Sequence, residues 1–217
     1  MGLLETASKI DTTRSRIPEW LPDLVHASAC IEGYRTPFEV CEALVASELI
    51  TVLPKQELTF LLNMISTYMY VYDHRKDKVD IAFLSGVNAS VGRDLIDGCG
   101  KLRTKPVFIG NTYLNSEVPE YPDVVRDIER MSAVDNVVDR ALAFFCYICK
   151  KQLFIDGNKR VAQVIANKIL LDGNAGFLLR VPSGMNVTFS ELLLEYYRTN
   201  DSYDLKEWLK RYAHFGI

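Results

Sequence analysis

The chain has 217 residues, 48% of them hydrophobic, and a formal net charge of −3. That length and a mean hydropathy near zero suit one large soluble domain with a sizeable core, and the charge gives no electrostatic case for nucleic acid or membrane binding. No apolar run approaches the ~18 residues a membrane-crossing helix needs, and the first residues lack a basic-then-apolar leader. Five Cys, an odd number, do not make a disulfide framework, so a reducing cytoplasm is the expected compartment.

Residues 1–17 are polar and show no period, which reads as an arm. Pro18 to Gly33 reads as a helix, with Trp20, Leu21, Leu24, Val25 and Ile31 at helical spacing and Gly33 as a stop. Pro37 to Ile50 is a second helix, with Thr36 as its cap and Pro37 in its first turn. Pro54 opens a longer one, whose Leu58, Leu61, Leu62, Ile65, Met69 and Tyr72 form a core stripe. Val79 to Ile96 reads as a further helix, interrupted by Gly86 and Gly92. Val107, Phe108 and Ile109 are strand formers before a Gly110-Asn111 turn, so Gly100 to Tyr113 is expected to hold a short hairpin, the only β element.

Tyr121 to Met131 reads as a helix. Asp135 to Lys150 is apolar nearly all round, the pattern of a central buried helix. Its Cys146 and Cys149 share one face and are read as buried structural thiols, since a redox pair would sit at a helix start. Another helix ends at Leu171. Phe177 to Val181 is a short extended piece. Thr188 is expected to cap a helix to Arg198, with Glu191 completing a capping box, and Asp201 or Ser202 to start the last helix. The sum is an all-α fold of about nine helices with one short hairpin.

Gln152-Leu-Phe-Ile-Asp-Gly-Asn-Lys-Arg-Val-Ala-Gln163 links two of these helices. A Gly157-Asn158 turn opening a helix presents unpaired N–H groups and the positive end of the helix dipole, which together make an anion site. Asp156 at its lip suits a hard cation such as Mg²⁺. The plain alternative is a helix start capped by Asn158 among ordinary surface charges.

The stretch resembles the Fic family signature, His-x-Phe-x-(Asp/Glu)-Gly-Asn-Gly-Arg-x-x-Arg, and more closely its Gly-Asn-Lys-Arg branch, which includes the Doc toxin. Phe154, Asp156, Gly157, Asn158 and Arg160 match, a coincidence expected on the order of once in 10⁴ chains of this length. Gln152 stands at the position of the catalytic His, and Gln163 at that of the second Arg. Gly100 to Gly110 is similar to the family's flap, which docks a target along a strand edge, here through Val107, Phe108 and Ile109. Ser28-x-x-x-Glu32-Gly33 is similar to its inhibitory motif.

The resemblance implies the Fic fold: an inhibitory helix at 18–34, a core at 35–172 and C-terminal helices at 173–217, all in one domain over 1–217. It implies that Gly157, Asn158, Lys159, Arg160 and Gln163 line the phosphates of ATP and that Asp156 holds Mg²⁺. A further implication is transfer of AMP, or of phosphate as in Doc, to a hydroxyl of a target protein. Two copies pairing through helices is a further expectation by analogy. A carboxamide at 152 cannot serve as a general base, whose loss costs ~10²–10⁴-fold in rate. In the family the inhibitory Glu pairs with the second Arg; here Glu32 is expected to meet only a neutral Gln163. Three activities stay open: weakened transfer, nucleotide binding without catalysis, and removal of AMP from protein using Glu32.

Overall fold

The computed structural model describes residues 18–48, 53–107 and 117–217. The arm expected at 1–17 and most of the hairpin, including Phe108 and Ile109, lie outside them. Among the described residues there are nine helices. They are α1 (Leu21–Ile31), α2 (Phe38–Val45), α3 (Lys55–Asp73), α4 (Ile81–Gly92), α5 (Tyr121–Ser132), α6 (Val137–Lys151), α7 (Asn158–Asp172), α8 (Asn186–Thr199) and α9 (Tyr203–Tyr212).

α6 is a central buried helix, as its apolar pattern implied, and α7 is buried more completely still. Every residue from Arg160 to Leu170 is buried, whereas α6 leaves Asp139 and Lys151 exposed. Three polar side chains on α7 survive burial because each has a partner in a neighbouring element. Asn167 exchanges two hydrogen bonds with the Leu179 backbone, at 2.7 and 3.0 Å. The Lys168 ammonium donates to the carbonyls of Arg75 (2.8 Å) and Asp77. Gln163 accepts from Ser28 on α1 at 3.1 Å. Unpaired, each buried group would cost about 1–3 kcal/mol.

The two central helices run antiparallel. The Asn136 side chain caps α6 by accepting from Val138 and Asp139, and Val137 packs against Gly173, the residue that ends α7. At the other end, residues 152–157 join them. Cys146 and Cys149 are buried on α6; burial pushes the Cys146 thiol up to about 11 and raises that of Cys149 as well. Thiols so held are structural, as their shared face implied.

The short antiparallel sheet is not where the hairpin was expected. Residues 100–107 contain no strand. Instead β1 (Phe177–Leu179) pairs with β2 (His214–Gly216), Leu178 facing Phe215. The extended piece after Gly176 was visible in the sequence; its partner, only three residues long and bracketed by a helix, was not.

Helix starts differ in detail. Pro37, not Thr36, caps α2, because the Thr36 hydroxyl is spent on Glu57 of α3. The helix expected to begin after Thr188 starts at Asn186, with Met185 as its cap residue, so Thr188 and Glu191 form no capping box.

Gly173 is where close approach excludes a side chain. A Cβ built there would lie 2.2 Å from Val137 Cγ2, and a β-branched side chain in a helix has little rotamer freedom to yield. Gly173→Ala is therefore expected to destabilise the fold by about 1–3 kcal/mol. That corresponds to a fall of roughly 2–4 °C in Tm per kcal/mol. Thermal unfolding of G173A and of G173A with Val137→Ala checks it; the second change should restore part of the loss.

Candidate functional site

α6 ends in an unusual backbone. Gln152 adopts the left-handed region, with φ 48° and ψ 62°, a conformation that costs a non-glycine residue of order 1–3 kcal/mol. Its N–H donates to the Ile148 carbonyl at 3.2 Å, and three further hydrogen bonds hold it. Its carbonyl accepts from Arg103 Nε at 2.5 Å, its Nε2 donates to the Cys149 carbonyl at 2.6 Å, and its Oε1 accepts from Asn158 Nδ2 at 3.0 Å. Both ends of the carboxamide are thus committed to the scaffold.

Asn158 ties the loop from inside. Besides Gln152 it reaches the Phe154 carbonyl (2.8 Å) and accepts from the Phe154 N–H (3.0 Å). The plain alternative of Asn158 as helix cap does not hold: Gly157, at φ 82°, occupies the cap position and Asn158 is the first helical residue. Phe154 is fully buried, anchoring the chain beneath the turn.

Arg103 closes the loop from outside. It is buried, and its guanidinium also donates to the carbonyls of Lys105 (2.7 Å), Glu117 (2.7 Å) and Lys151 (3.2 Å). Burial lowers its pKa. Its own N–H donates to the Leu153 carbonyl.

What faces outward has the chemistry to receive an anion. The first N–H groups of α7 have no partner within the helix, and the dipole of a 15-residue helix favours negative charge there. Arg160 is buried below, donating to Val91 O and Asp156 Oδ2, each at 3.4 Å. Its Nε has no hydrogen-bond partner. The Asp156 carboxylate accepts from the Gly157 N–H at 2.5 Å, and its side chain is 66% exposed.

Asp156 suits a hard cation in one sense only. Among the described residues no three His, Cys, Asp or Glu side chains are arranged to hold a metal. Mg²⁺, however, is commonly held by one or two carboxylates plus a ligand's phosphates and water. One accessible carboxylate beside an anion site fits that use.

The Ser28–Gly33 motif sits over this site, with its contacts rearranged from those expected. Glu32 does not meet Gln163. Its Oε1 lies 3.4 Å from Lys159 Nζ and 4.0 Å from Arg160 Nε. Gln163 is met by Ser28 instead, and its Nε2 is buried with no hydrogen-bond partner. The Ser28 hydroxyl is also close to the Leu24 carbonyl and the Tyr68 hydroxyl. Gly33, at φ 88°, ends the helix. The physical reason for the exchange is charge: a carboxylate gains more from two cations than from a neutral amide.

The other sequence candidates lie apart. Val107 is half-buried in irregular chain. His26 packs edge-on to Phe38 and sits 3.7 Å from Cys30 Sγ. Two residues escaped the sequence reading, Arg103 and Asn88. The second is fully buried on α4 and donates to the Asp156 carbonyl at 3.0 Å. A lone Asn inside the apolar run of α4 was the available signal.

Residues 78–170 match the model of the Fic/DOC family, and no curated protein matches the chain by sequence. Solved structures share the fold. A Fic family protein from Desulfovibrio desulfuricans G20 superposes with a TM-score of 0.67 at 17% identity, covering 87% of this chain and 60% of its own. Fic-1 from C. elegans gives 0.71 at 18%, covering 95% and 65%. A Fic domain containing signaling protein from Bacteroides thetaiotaomicron gives 0.69 at 14%, covering 88% and 81%. The nine helices and short sheet are therefore those of the Fic fold. The chain spans less than two thirds of the first two.

Asn158→Ala removes three hydrogen bonds and leaves the Phe154 backbone without them. The expected cost is about 1–3 kcal/mol for an unsatisfied buried group, read as a lower midpoint in urea unfolding. An unchanged midpoint would mean the loop is held without Asn158.

Proposed function

We propose that the chain is a Fic-family protein that binds ATP at residues 156–160 and transfers AMP, or phosphate, to a hydroxyl of a target protein, at a rate held down by Gln152. The observation that carries this reading is the αL turn at Gly157 opening α7 above the buried Arg160, whose Nε lacks a hydrogen-bond partner. It provides N–H donors and fixed positive charge where transferring phosphate accumulates negative charge.

The parts follow. The N–H groups of residues 158–160 and the Arg160 guanidinium bind and orient the phosphates, and Lys159 adds a second cation. Asp156 would hold Mg²⁺, which supplies further charge neutralisation when bound. The target hydroxyl oxygen bonds to phosphorus as pyrophosphate leaves for AMP transfer, or ADP for phosphate transfer. Its proton passes to solvent, since the Gln152 amide has no basic lone pair near neutrality. Lys159, as in the Doc-like branch, keeps both transfers in view. Target docking along Val107, Phe108 and Ile109 and a cytoplasmic setting belong to the same reading.

Glu32 restrains the site. Its carboxylate lies against Lys159 and Arg160, the side chains proposed for phosphate, so the internal carboxylate and the ligand compete. A second reading, nucleotide binding without catalysis, is favoured by one observation: both polar ends of the Gln152 side chain are spent on Cys149 and Asn158.

Calorimetry with Mg²⁺ and ATP, then labelled ATP with cell lysate, tests both. Glu32→Ala should tighten ATP binding about fivefold, the equivalent of ~1 kcal/mol for a partly exposed pair. Arg160→Ala should abolish it. Gln152→His combined with Glu32→Ala should raise label transfer by ~10²–10⁴. Binding with no transfer by this double variant leaves the non-catalytic reading. No binding by wild type or E32A removes both.

A further inference from the structure

Asn88 is fully buried and links three separate parts of the chain around the site. It lies on α4, 68 residues before the loop. Its Nδ2 donates to the Asp156 carbonyl at 3.0 Å, and its Oδ1 accepts from the Gly100 N–H at 2.7 Å. Two glycines stand at these contacts, each with positive φ and little room for a side chain. Gly100 is at φ 81°, and a Cβ there would lie 2.9 Å from Ala89 Cβ. Gly157 is at φ 82°, and a Cβ there would come within 3.2 Å of Asn88 Nδ2 itself.

The peptide plane turns this contact into an effect on the site. In a trans peptide the carbonyl oxygen of one residue and the N–H of the next point opposite ways across a rigid plane. Drawing the Asp156 oxygen toward α4 therefore drives the Gly157 N–H the other way. That N–H is the donor to Asp156 Oδ1, at 2.5 Å. Among the described residues, the exposed carboxylate's other polar contact is the long one from Arg160 to Oδ2.

We infer that Asn88 is a positioning residue for the Asp156 carboxylate, acting through the Asp156–Gly157 peptide to aim it at the cation side of the site. The inference rests on the proposed function for its ligand, Mg²⁺ with a nucleotide, and on the hydrogen bonds alone for its mechanism. A buried amide used only to fill α4 would satisfy its own polar atoms within the helix or the core, without crossing to the loop at both ends. Nor does the role duplicate Arg103, which grips the start of the loop at Gln152 and Leu153.

Asn88→Leu removes both bonds without burying a charge. The Gly157 amide proton, shifted downfield by a short bond to a carboxylate, should move upfield in ¹H–¹⁵N spectra and exchange faster with solvent, while amides in the middle of α6 hold. In the Glu32→Ala background, the Mg²⁺ concentration needed for half-maximal ATP binding should rise roughly 10–100-fold, the usual effect of losing a residue that orients a metal ligand. ATP affinity without Mg²⁺ should stay within about twofold. If N88L does not fold, Asn88→Ser leaves room for a bridging water, and should show the same changes at smaller size. An unmoved Gly157 amide, or equal losses with and without Mg²⁺, overturns the inference. Should the parent protein bind no nucleotide, the proposed function falls and the Gly157 amide alone decides for or against Asn88.

Discussion

Everything in this fold is arranged around a helix that has no solvent face. α7 is buried from Arg160 to Leu170, yet carries Arg160, Gln163, Asn167 and Lys168. A buried polar group without a partner costs as much as several buried methylenes offset. The surrounding elements are therefore fixed not only by apolar packing but by where these side chains need partners. Asn167 takes the β1 backbone, Lys168 the turn after α3, Gln163 the hydroxyl of Ser28 on α1, and Arg160 the last turn of α4. Hydrogen bonds are directional where packing is not, so each of these contacts sets a register. The loop of residues 152–157 sits at the N-terminus of this element.

The pairing above that loop shows how charge finds its partner. Lys159 and Gln163 are four residues apart, hence on one face of α7. The resemblance led us to expect a carboxylate above 163. With a neutral amide there, Glu32 lies instead one turn nearer the loop, against Lys159 and Arg160, while Ser28 serves Gln163. A neutral donor meets a neutral acceptor and an anion meets cations, so the helix keeps its place with different contacts. The loss is visible too, since Gln163 Nε2 is left without a hydrogen-bond partner.

Much of this was legible in the chain. The stripes of α3 and α6 gave helices in place, and the Gly157-Asn158 break marked the start of α7. Legibility failed where a residue's role depends on a distant partner. Thr36 looks like a cap but answers to Glu57. α7 reads as half polar because its polar residues serve neighbours from other parts of the chain, so its complete burial did not show in the sequence. Asn88 and Arg103 carry only faint local signals; their partners lie 68 and 49 residues away. The side-chain contacts of Asn158 are local, but they run backward into the loop rather than forward into the helix, which the sequence did not disclose.

The antiparallel seating of Val137 against Gly173 has a bearing on assembly. α6 and α7 share the most extensive packing of any two elements, and only six residues join them. Closing so short a loop costs little chain entropy, and contacts between near neighbours in sequence form fastest. The turn of residues 152–157 is the bend of that local hairpin. Asn88 and Ser28 reach the same end of it across separations of 68 and 135 residues, where loop closure costs more. One short stretch of chain thus draws on both the most local and some of the most distant contacts of the fold.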